Sequence, residues 1–541
     1  MLPESANIIS GPKEDISIPE GSVGKYFLDC MKKRDPKHVT LVDFTTGNTL
    51  INQQLLQYSL RATRIFQGLG IKKGDIISIV AENSLKYCVP ELGALYIGAV
   101  VHLLNPHYSI GELKHALSIT KPKLIICSEL SVKNVMQVHK DLQPINSKIV
   151  LLENKSENYV DIITFEDLLN VVPHIDPDSF EPEEINTLED GAFILMSSGT
   201  TGLPKGVLIT HDNLRAALNY LCHENYLGVS DEDTTIFLLP FFHIFGVLIQ
   251  MLFIACGMKA VILNKFKPDI FLTSIEKYKA TKLFVVPPII LFFAKSPLVD
   301  DYNLSSVKDI VVGGAPLGKD LQENVTNRIK NATVRQIYGL SETCGACTFQ
   351  TYNKIKLNSV GVLVPHLYAK VWDPQLKQSL GVGKVGELCF KGSMVMKGYY
   401  RNMNFTKECI DEDGYYHSGD IGYYDEDGNI YVVDRLKELI KYKGFQVPPA
   451  ELEALILTHP AVKDCGVIGI PDERAGEIPL AYIVKQNEVQ VGEQDIVDYV
   501  AERISVQKHL YGGVKFIEEI PKTASGKILR RKLRERFWTS L

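Results

Sequence analysis

The chain has 541 residues, of which 45% are hydrophobic, and its formal net charge at pH 7 is −6. This length exceeds one ordinary domain and supplies apolar side chains for several cores, so a large protein of more than one domain is expected. The acidic balance argues against a nucleic-acid partner, because a polyanion would have to be held by local positive charge.

The ten cysteines are scattered, and Cys88, Cys127, Cys256 and Cys389 lie inside apolar runs. This distribution is typical of buried, reduced thiols and not of a disulfide framework. The first residues are polar and contain no apolar core of a secretory signal, so an intracellular protein is predicted.

Up to about residue 360, short apolar runs alternate with longer helix-like segments. Residues 76–80, 123–127 and 148–152 are predicted strands, and residues 53–69 and 110–119 are predicted helices. Alternation on this scale predicts α/β layers built on parallel sheets.

An apolar strand at residues 193–197 leads into a turn rich in hydroxyls and glycines, which Lys205 closes. Such a turn offers backbone N–H groups, hydroxyls and one cation to an anion, although the spacing of a Walker loop is absent. A flexible surface loop would explain the glycines but not the combined Ser, Thr and Lys, so phosphate binding is favoured. The candidate ligands are Ser197, Ser198, Gly199, Thr200, Thr201, Gly202 and Lys205.

Residues 234–258 contain no charged side chain and imitate a membrane span. Pro240, His243 and Gln250 interrupt the run. A buried helix preceded by a strand and a loop explains it equally well, so no transmembrane segment is predicted.

Residues 335–343 offer an aromatic face, a hydroxyl and a carboxylate in succession. Alone this would be an ordinary loop. Beside a phosphate site, Tyr338 could stack on a base, and Glu342 could bind a Mg²⁺ that bridges phosphate oxygens.

After residue 360, Asp-Gly turns separate short strands at residues 381–390, 414–424 and 428–433, which predicts an antiparallel region. Asp420 offers a carboxylate to ribose hydroxyls there, and Arg435 adds a guanidinium.

From residue 435 onward, a helix at 449–457, strands near Val467 and Ala481 and a basic last helix indicate a compact domain. Just before that helix a glycine turn presents Lys527, which by itself is most simply a solvated charge. We therefore predict an α/β fold. Its large N-terminal domain, residues 1–434, has layered α/β subdomains and a β-rich subdomain, and a small α+β domain follows at 435–541.

These segments, in this order and spacing, resemble the adenylate-forming superfamily, in the branch of 4-coumarate:CoA ligases, acyl-CoA synthetases and beetle luciferases. The resemblance extends over essentially the whole chain, and the block at residues 434–447 is highly specific. It implies an acid:CoA ligase that uses ATP, Mg²⁺ and coenzyme A. A carboxylic acid becomes an acyl-adenylate with release of pyrophosphate, and acyl-CoA and AMP follow.

The resemblance also implies catalytic roles. Lys205, Thr200 and Thr201 hold the β- and γ-phosphates, Glu342 and Thr200 bind Mg²⁺, and Lys527 bridges the substrate carboxylate and the α-phosphate. Further nucleotide contacts are implied for Gln336, Ile337, Tyr338, Gly339, Ser341, Asp420, Arg435, Lys437 and Lys441.

His243 matches the family histidine that lines the carboxylate end of the acid site. A lone His in so apolar a run would usually belong to the core, but the surrounding motif reverses that expectation. The remaining acid contacts implied are Phe245, Gly313, Gly314, Ala315, Gly345 and Ala346. The glycines and alanines among them leave room for either a hydroxycinnamate-like or a fatty acid.

For thioester formation the resemblance implies that the small domain is mobile and rotates about a hinge at Asp434. Lys441, Lys443 and Gly444 then approach the adenylate and CoA, and Lys265 aligns with a position near CoA.

The main alternative is a luciferase-type monooxygenase that oxidises a luciferyl-adenylate with O₂. Phe242 stands where beetle luciferases carry a second histidine, and Gly345 stands where they carry a serine, so the ligase is favoured. A pseudoenzyme is disfavoured because Lys205, Glu342 and Lys527 are present. A carrier-loading adenylation domain would adjoin a carrier domain, so a stand-alone ligase with no obligate protein partner is expected.

The chain ends Thr539-Ser540-Leu541, and only Leu541 agrees with the peroxisomal Ser-Lys-Leu signal of related enzymes. A peroxisomal location is therefore inferred from the relatives alone, with the cytosol as the alternative.

Overall fold

The computed structural model describes residues 7–13, 20–142, 147–153, 159, 161–197, 204–486, 489–523 and 526–539. Up to residue 222 the elements are β1 (Ile8–Ser10), α1 (Val23–Lys33), β2 (Val39–Asp43), β3 (Thr49–Ile51), α2 (Asn52–Gly68), β4 (Ile76–Val80), α3 (Cys88–Tyr96), β5 (Val100–Leu104), α4 (Ile110–Thr120), β6 (Leu124–Cys127), α5 (Glu129–Asp141), β7 (Lys148–Leu151), α6 (Phe165–Val171), β8 (Gly191–Ser197), β9 (Lys205–Thr210) and α7 (His211–Cys222).

Between residues 234 and 363 the elements are β10 (Thr234–Phe237), α8 (Ile244–Cys256), β11 (Lys259–Ile262), α9 (Pro268–Tyr278), β12 (Lys282–Val285), α10 (Pro287–Lys295), β13 (Asp309–Val312), α11 (Lys319–Arg328), β14 (Thr333–Leu340), β15 (Gly345–Phe349) and β16 (Val362–Leu363). The remainder has β17 (Leu367–Asp373), β18 (Gln378–Leu380), β19 (Gly386–Gly392), β20 (Gly398–Tyr399), α12 (Met403–Cys409), β21 (Tyr416–Tyr424), β22 (Ile430–Arg435), β23 (Ile440–Tyr442), β24 (Phe445–Val447), α13 (Pro449–Ile456), β25 (Val462–Asp472), β26 (Gly476–Lys485), α14 (Glu493–Ala501), β27 (Val514–Phe516) and α15 (Arg530–Thr539).

Two large sheets form the centre of the molecule. Within the described ranges, a nine-stranded sheet has the order β16-β15-β14-β13-β12-β10-β11-β2-β3, and a seven-stranded sheet has the order β20-β9-β8-β5-β4-β6-β7. The neighbours from β14 to β2 and from β8 to β7 pair in parallel. Every residue of β4 and β5 is buried, as expected for parallel strands covered by helices on both faces.

Antiparallel strands extend both sheets beyond what the sequence predicted. Residues 205–210 form β9, which pairs with β8 so that Lys205 lies opposite Ser197. The strand ends at Thr210, whose side chain caps α7 by accepting from Asn213 N. The segment that contains Lys205 therefore connects β8 directly to α7.

The predicted antiparallel region lies within residues 367–435, where β17, β19, β21 and β22 follow one another and β18 pairs with β17. Strand β1, from the start of the chain, adds an edge to this sheet by pairing with β17. The elements from β23 to α15, which we call the C-terminal unit, form a separate sheet in the order β24-β23-β26-β25, with β27 parallel to β26. The elements from β1 to β22 are the N-terminal unit. The predicted α/β class, with a large and a small part, is confirmed, whereas the boundary at Asp434 stays a prediction.

Residues 234–258 are not a membrane span. They form β10, a loop and α8, as the sequence analysis expected. Helix α8 is buried along most of its length and packs against α1 and α7. No helix in the part of the chain that the structure describes is both long and apolar enough to cross a bilayer.

Candidate active site

A cavity of about 240 Å³ lies between the N-terminal and C-terminal units. One wall consists of residues at or just beyond the carboxyl ends of β12, β13 and β14, where crevices in parallel sheets commonly bind ligands. The sequence-predicted residues that line it are Gly314, Ala315, Gln336, Ile337, Tyr338, Gly339, Asp420, Asp434, Arg435 and Lys527. The cavity thus brings together candidates that are up to 213 positions apart in the chain, from Gly314 to Lys527.

Asp420 is a buried carboxylate with two polar neighbours. Tyr338 Oη donates a hydrogen bond of 2.7 Å to its Oδ2, and Arg435 Nε lies 3.2 Å from its Oδ1. The pairing of β21 with β22 sets Asp420 opposite Arg435. Burial and the adjacent carboxylate raise the pKa of Tyr338, so the phenol stays protonated and acts as a donor.

Lys527 enters this cavity from the C-terminal unit. Its backbone N–H donates to Thr523 Oγ1 at 3.0 Å, which closes the glycine turn. Gly526 has φ +82°, and a Cβ there would lie 3.3 Å from Val286 Cγ2, so the turn packs on the N-terminal unit. Burial, and then the charge of Arg435, lowers the pKa of Lys527 to about 8.

His243 is the N-cap of α8, and its Nδ1 accepts a hydrogen bond of 3.3 Å from Phe245 N. Burial, and then the positive charge of Lys527, lowers its pKa to about 4. The ring is therefore neutral near pH 7, and because Nδ1 is an acceptor its proton is on Nε2. His243 thus offers one N–H donor and no positive charge.

The acid-site candidates lie along α8 and the strand ends beside it. Gly313 is close to Ile337 and Phe245, since an added Cβ would lie 2.8 Å and 3.4 Å from their side chains. Gly345 has φ +97°, and an added Cβ would lie 2.2 Å from Leu248 Cδ1. Leu248 therefore covers Gly345.

Leu248 was not predicted as a site residue. It lies one helical turn after Ile244, whose Cγ1 would lie 3.8 Å from the same added Cβ, so the two side chains share the face of α8 toward Gly345. Ala346 is buried in β15 beside Gly345.

The phosphate-loop residues Ser198, Gly199, Thr200, Thr201 and Gly202 lie outside the described residues. Ser197, at the end of β8, is described, and its buried hydroxyl has no hydrogen-bond partner within the described ranges. A ligand oxygen would satisfy that hydroxyl.

Lys205 lies opposite Ser197 with its ammonium 3.1 Å from the ring centroid of Phe405 and 5.2 Å from that of Tyr399. Burial lowers the pKa of Lys205, and the nearby Lys437 adds to this, whereas Glu342 opposes it. The rings of Tyr399 and Phe405 were not predicted to contact Lys205, because these residues lie 194 and 200 positions after it in the chain. They hold the cation by its electrostatic attraction to the ring faces.

Glu342 is buried, and Tyr399 Oη donates to its Oε1 at 3.0 Å. A carboxylate is the hard oxygen donor that Mg²⁺ prefers. The ammonium of the nearby Lys205 is held over the ring of Phe405, which leaves the Glu342 carboxylate available to a metal ion. Glu342 therefore fits a Mg²⁺ ligand. Thr200, the other metal candidate, is not among the described residues.

Three of the predicted CoA contacts do not line the active-site cavity. Lys441, Lys443 and Gly444 are exposed, in the turn between β23 and β24 and the strand before it. Of the predicted nucleotide contacts, Lys437 is exposed and Ser341 is half-buried next to Glu342.

Lys265 is exposed, and its neighbours Asn264 and Phe266 line a second cavity of about 260 Å³. Phe242, the neighbour of His243 in the chain, lines the same cavity. Val286, which packs against the Gly526 turn, lines it too. The second cavity therefore borders the active-site region.

His417 was not predicted as a site residue, although it precedes Asp420 in the same motif. Its Nδ1 lies 2.9 Å from Glu387 Oε2, and its Nε2 lies 3.4 Å from Asp411 Oδ2. The hydrogen bond to Glu387 raises the pKa of His417. Glu387 also accepts from Gly419 N at 3.0 Å, so this cluster fixes the backbone next to Asp420.

Comparisons with known proteins identify the family of this chain. Residues 30–400 match the model of the AMP-binding enzyme family, and residues 451–527 match that of the AMP-binding enzyme C-terminal domain. The chain is 38% identical to a luciferin 4-monooxygenase of Photuris pensylvanica, over 99% of this chain and 98% of that protein. It is 37% identical to 4-coumarate--CoA ligase 1 of Petroselinum crispum, again over 99% and 98%.

Among solved structures, ATP-bound MatB from Rhodopseudomonas palustris superposes with a TM-score of 0.84 at 25% identity, over 95% of this chain and 99% of that chain. The apo form of MatB gives a TM-score of 0.75. This chain belongs to the AMP-binding enzyme family. The predicted branch is confirmed, since its relatives include both 4-coumarate:CoA ligases and beetle luciferases.

Proposed function

We propose that this protein is an ATP-dependent acid:CoA ligase that activates a fatty or hydroxycinnamate-like acid as its acyl-adenylate and then forms acyl-CoA. The observation that carries the proposal is the entry of Lys527 into the cavity that contains Asp420 and Arg435. The higher TM-score to ATP-bound than to apo MatB supports an arrangement suited to adenylation.

In the first half-reaction a carboxylate oxygen attacks the α-phosphorus, and the bond to the bridging oxygen of the leaving pyrophosphate breaks. Two anions must approach, so positive charge from Lys527 and Arg435 lowers the barrier. The neutral His243 orients the acid by donating from Nε2 to its carboxylate.

The pyrophosphate end of the nucleotide is assigned to Lys205 and Ser197. Mg²⁺, held by Glu342 and by Thr200, would neutralise charge on the phosphate oxygens. Asp420 accepts hydrogen bonds from the ribose hydroxyls, and Tyr338 contributes its ring to the adenine side of the cavity.

In the second half-reaction a thiol attacks the acyl carbon and AMP leaves. Lys527 then has no further role, and rotation of the C-terminal unit about Asp434 carries Lys441, Lys443 and Gly444 to the adenylate. The second cavity, between Phe242 and Asn264 and next to Lys265, supports an approach for the CoA arm from that side.

A luciferase-type monooxygenase is the second candidate, because the chain is about as identical to the Photuris enzyme as to the Petroselinum ligase. Two residues of the acid site favour the ligase. Phe242 offers no imidazole beside His243, and Gly345 offers no hydroxyl.

The test is a panel of fatty, aryl and luciferin acids incubated with ATP and Mg²⁺, with and without CoA. A ligase forms AMP and thioester with at least one acid when CoA is present. Light and oxidised product without thioester would instead assign the monooxygenase. No pyrophosphate exchange with any acid would contradict both.

A further inference from the structure

Three cysteines lie together on three packed helices, outside the active-site cavity. Cys222 and Cys256 are the last residues of α7 and α8, and Cys30 lies on α1, which packs against both helices. All three thiols are free and half-buried. The opposite end of α8 carries His243, so Cys256 lies about 20 Å from it along the helix.

The sulfur atoms of Cys222 and Cys256 lie 3.0 Å apart. A disulfide bond joins sulfur atoms at ~2.0 Å, so a movement of about 1 Å would close the bond. Both residues end their helices, where the backbone adjusts more easily than in a helix interior. The two sulfur atoms are therefore close enough to react with each other.

A guanidinium lies at the same place. Arg34 Nη1 donates to Ile254 O at 2.9 Å, and its Nη2 donates to Ala255 O at 2.8 Å. It therefore neutralises the carbonyl end of α8, which would otherwise disfavour a negative charge on Cys256. The hydrogen bond with Cys222, and then Arg34, lowers the pKa of Cys256, whereas the same hydrogen bond raises that of Cys222.

These features assign different roles to the two sulfurs. Cys256, which follows the two carbonyls that Arg34 binds, is the sulfur that reacts first once ionised, and Cys222 is the neighbouring thiol that resolves the product. Burial raises the pKa of Cys30, so it stays a thiol beside the pair.

We infer that Cys222 and Cys256 are an oxidation site that forms a reversible disulfide when the protein meets a peroxide. The Cys256 thiolate attacks one peroxide oxygen, the O–O bond breaks, and a sulfenic acid forms with loss of hydroxide. Cys222 then attacks the sulfenic sulfur, the S–O bond breaks, and water leaves. In total two thiols and one hydrogen peroxide give one disulfide and two waters.

The experiment treats the full-length protein with a small molar excess of hydrogen peroxide, blocks free thiols with iodoacetamide, and maps peptides without reduction. The expected product is a crosslinked peptide containing Cys222 and Cys256, which dithiothreitol separates. In the variant Cys222→Ser the sulfenic acid of Cys256 should persist and react with dimedone. The matched control Cys30→Ser should form the crosslink as the wild type does.

Arg34→Gln keeps both thiols but removes the charge, so it should slow crosslinking several-fold. Alkylation of both Cys222 and Cys256 after peroxide treatment would overturn the inference. So would a crosslink that involves Cys30, or dimedone labelling of Cys256 in the wild type without any crosslink. The wild-type result alone decides the question if a variant fails to fold.

Discussion

Tyr338 donates a hydrogen bond of 2.7 Å to Asp420, and Arg435 contacts the other oxygen of the same carboxylate. The three side chains come from β14, β21 and β22, so two sheets must pack correctly before the carboxylate is oriented. A buried carboxylate with both oxygens engaged is held in one orientation, which suits a group that accepts from ribose hydroxyls.

Tyr338→Phe removes the donor to Asp420 and keeps the ring. Hydrogen bonds to charged groups contribute about 1.5–3 kcal/mol, so the KM for ATP should rise by about tenfold or more. The KM for the acid should change little. Steady-state pyrophosphate release at varied ATP checks this, and an equal rise in both KM values would contradict a specific nucleotide role.

The lowered pKa of Lys527 predicts a pH dependence of adenylation. The ammonium loses its proton as the pH rises through about 8, so kcat/KM for pyrophosphate release should fall above that pH. Lys527→Arg remains charged over this range, so its lower activity should show no such decline. If the wild type and Lys527→Arg lost activity over the same pH range, the decline would belong to a group other than Lys527.

Lys295, the last residue of α10, holds the C-terminal unit in its present orientation. Its Nζ donates to His459 O at 3.3 Å and to Val462 O at 2.6 Å. Lys295→Met should slow adenylation several-fold and spare thioester formation from supplied acyl-adenylate. Stopped-flow measurement of each half-reaction tests this.

A matched control for that experiment is Lys330→Met, which removes an exposed ammonium elsewhere on the N-terminal unit. It should leave both half-reactions unchanged. Equal slowing of the two half-reactions by Lys295→Met would point to general destabilisation instead of altered orientation.

Leu248 should limit the size of the acid, because it covers Gly345. Leu248→Ala should lower the KM for bulkier acids relative to small ones, at a stability cost of about 2–5 kcal/mol. Leu252→Ala is the control, since Leu252 is also buried on α8, one turn further from His243. If both variants shift acid preference alike, Leu248 has no specific role.

Much of the fold was predictable, because buried parallel strands such as β4 are continuous apolar runs and Asp-Gly turns mark the antiparallel region. The family resemblance implied that Lys527 and Asp420 both belong to the nucleotide site, and both line the cavity between the two units. Contacts between distant segments were not predictable. The rings of Tyr399 and Phe405 over Lys205, and Leu248 over Gly345, depend on packing that no local pattern records. Strand β9 was missed because the glycine-rich turn before it dominated the local signal.

The most direct test of the account is Lys527→Ala, measured separately in the two half-reactions. Acid-dependent pyrophosphate release should be nearly abolished, because the charge that neutralises the approaching anions is lost. Thioester formation from supplied acyl-adenylate and CoA should be largely retained. Equal loss in both half-reactions, or normal pyrophosphate release, would contradict the claim that Lys527 serves adenylation from the C-terminal unit.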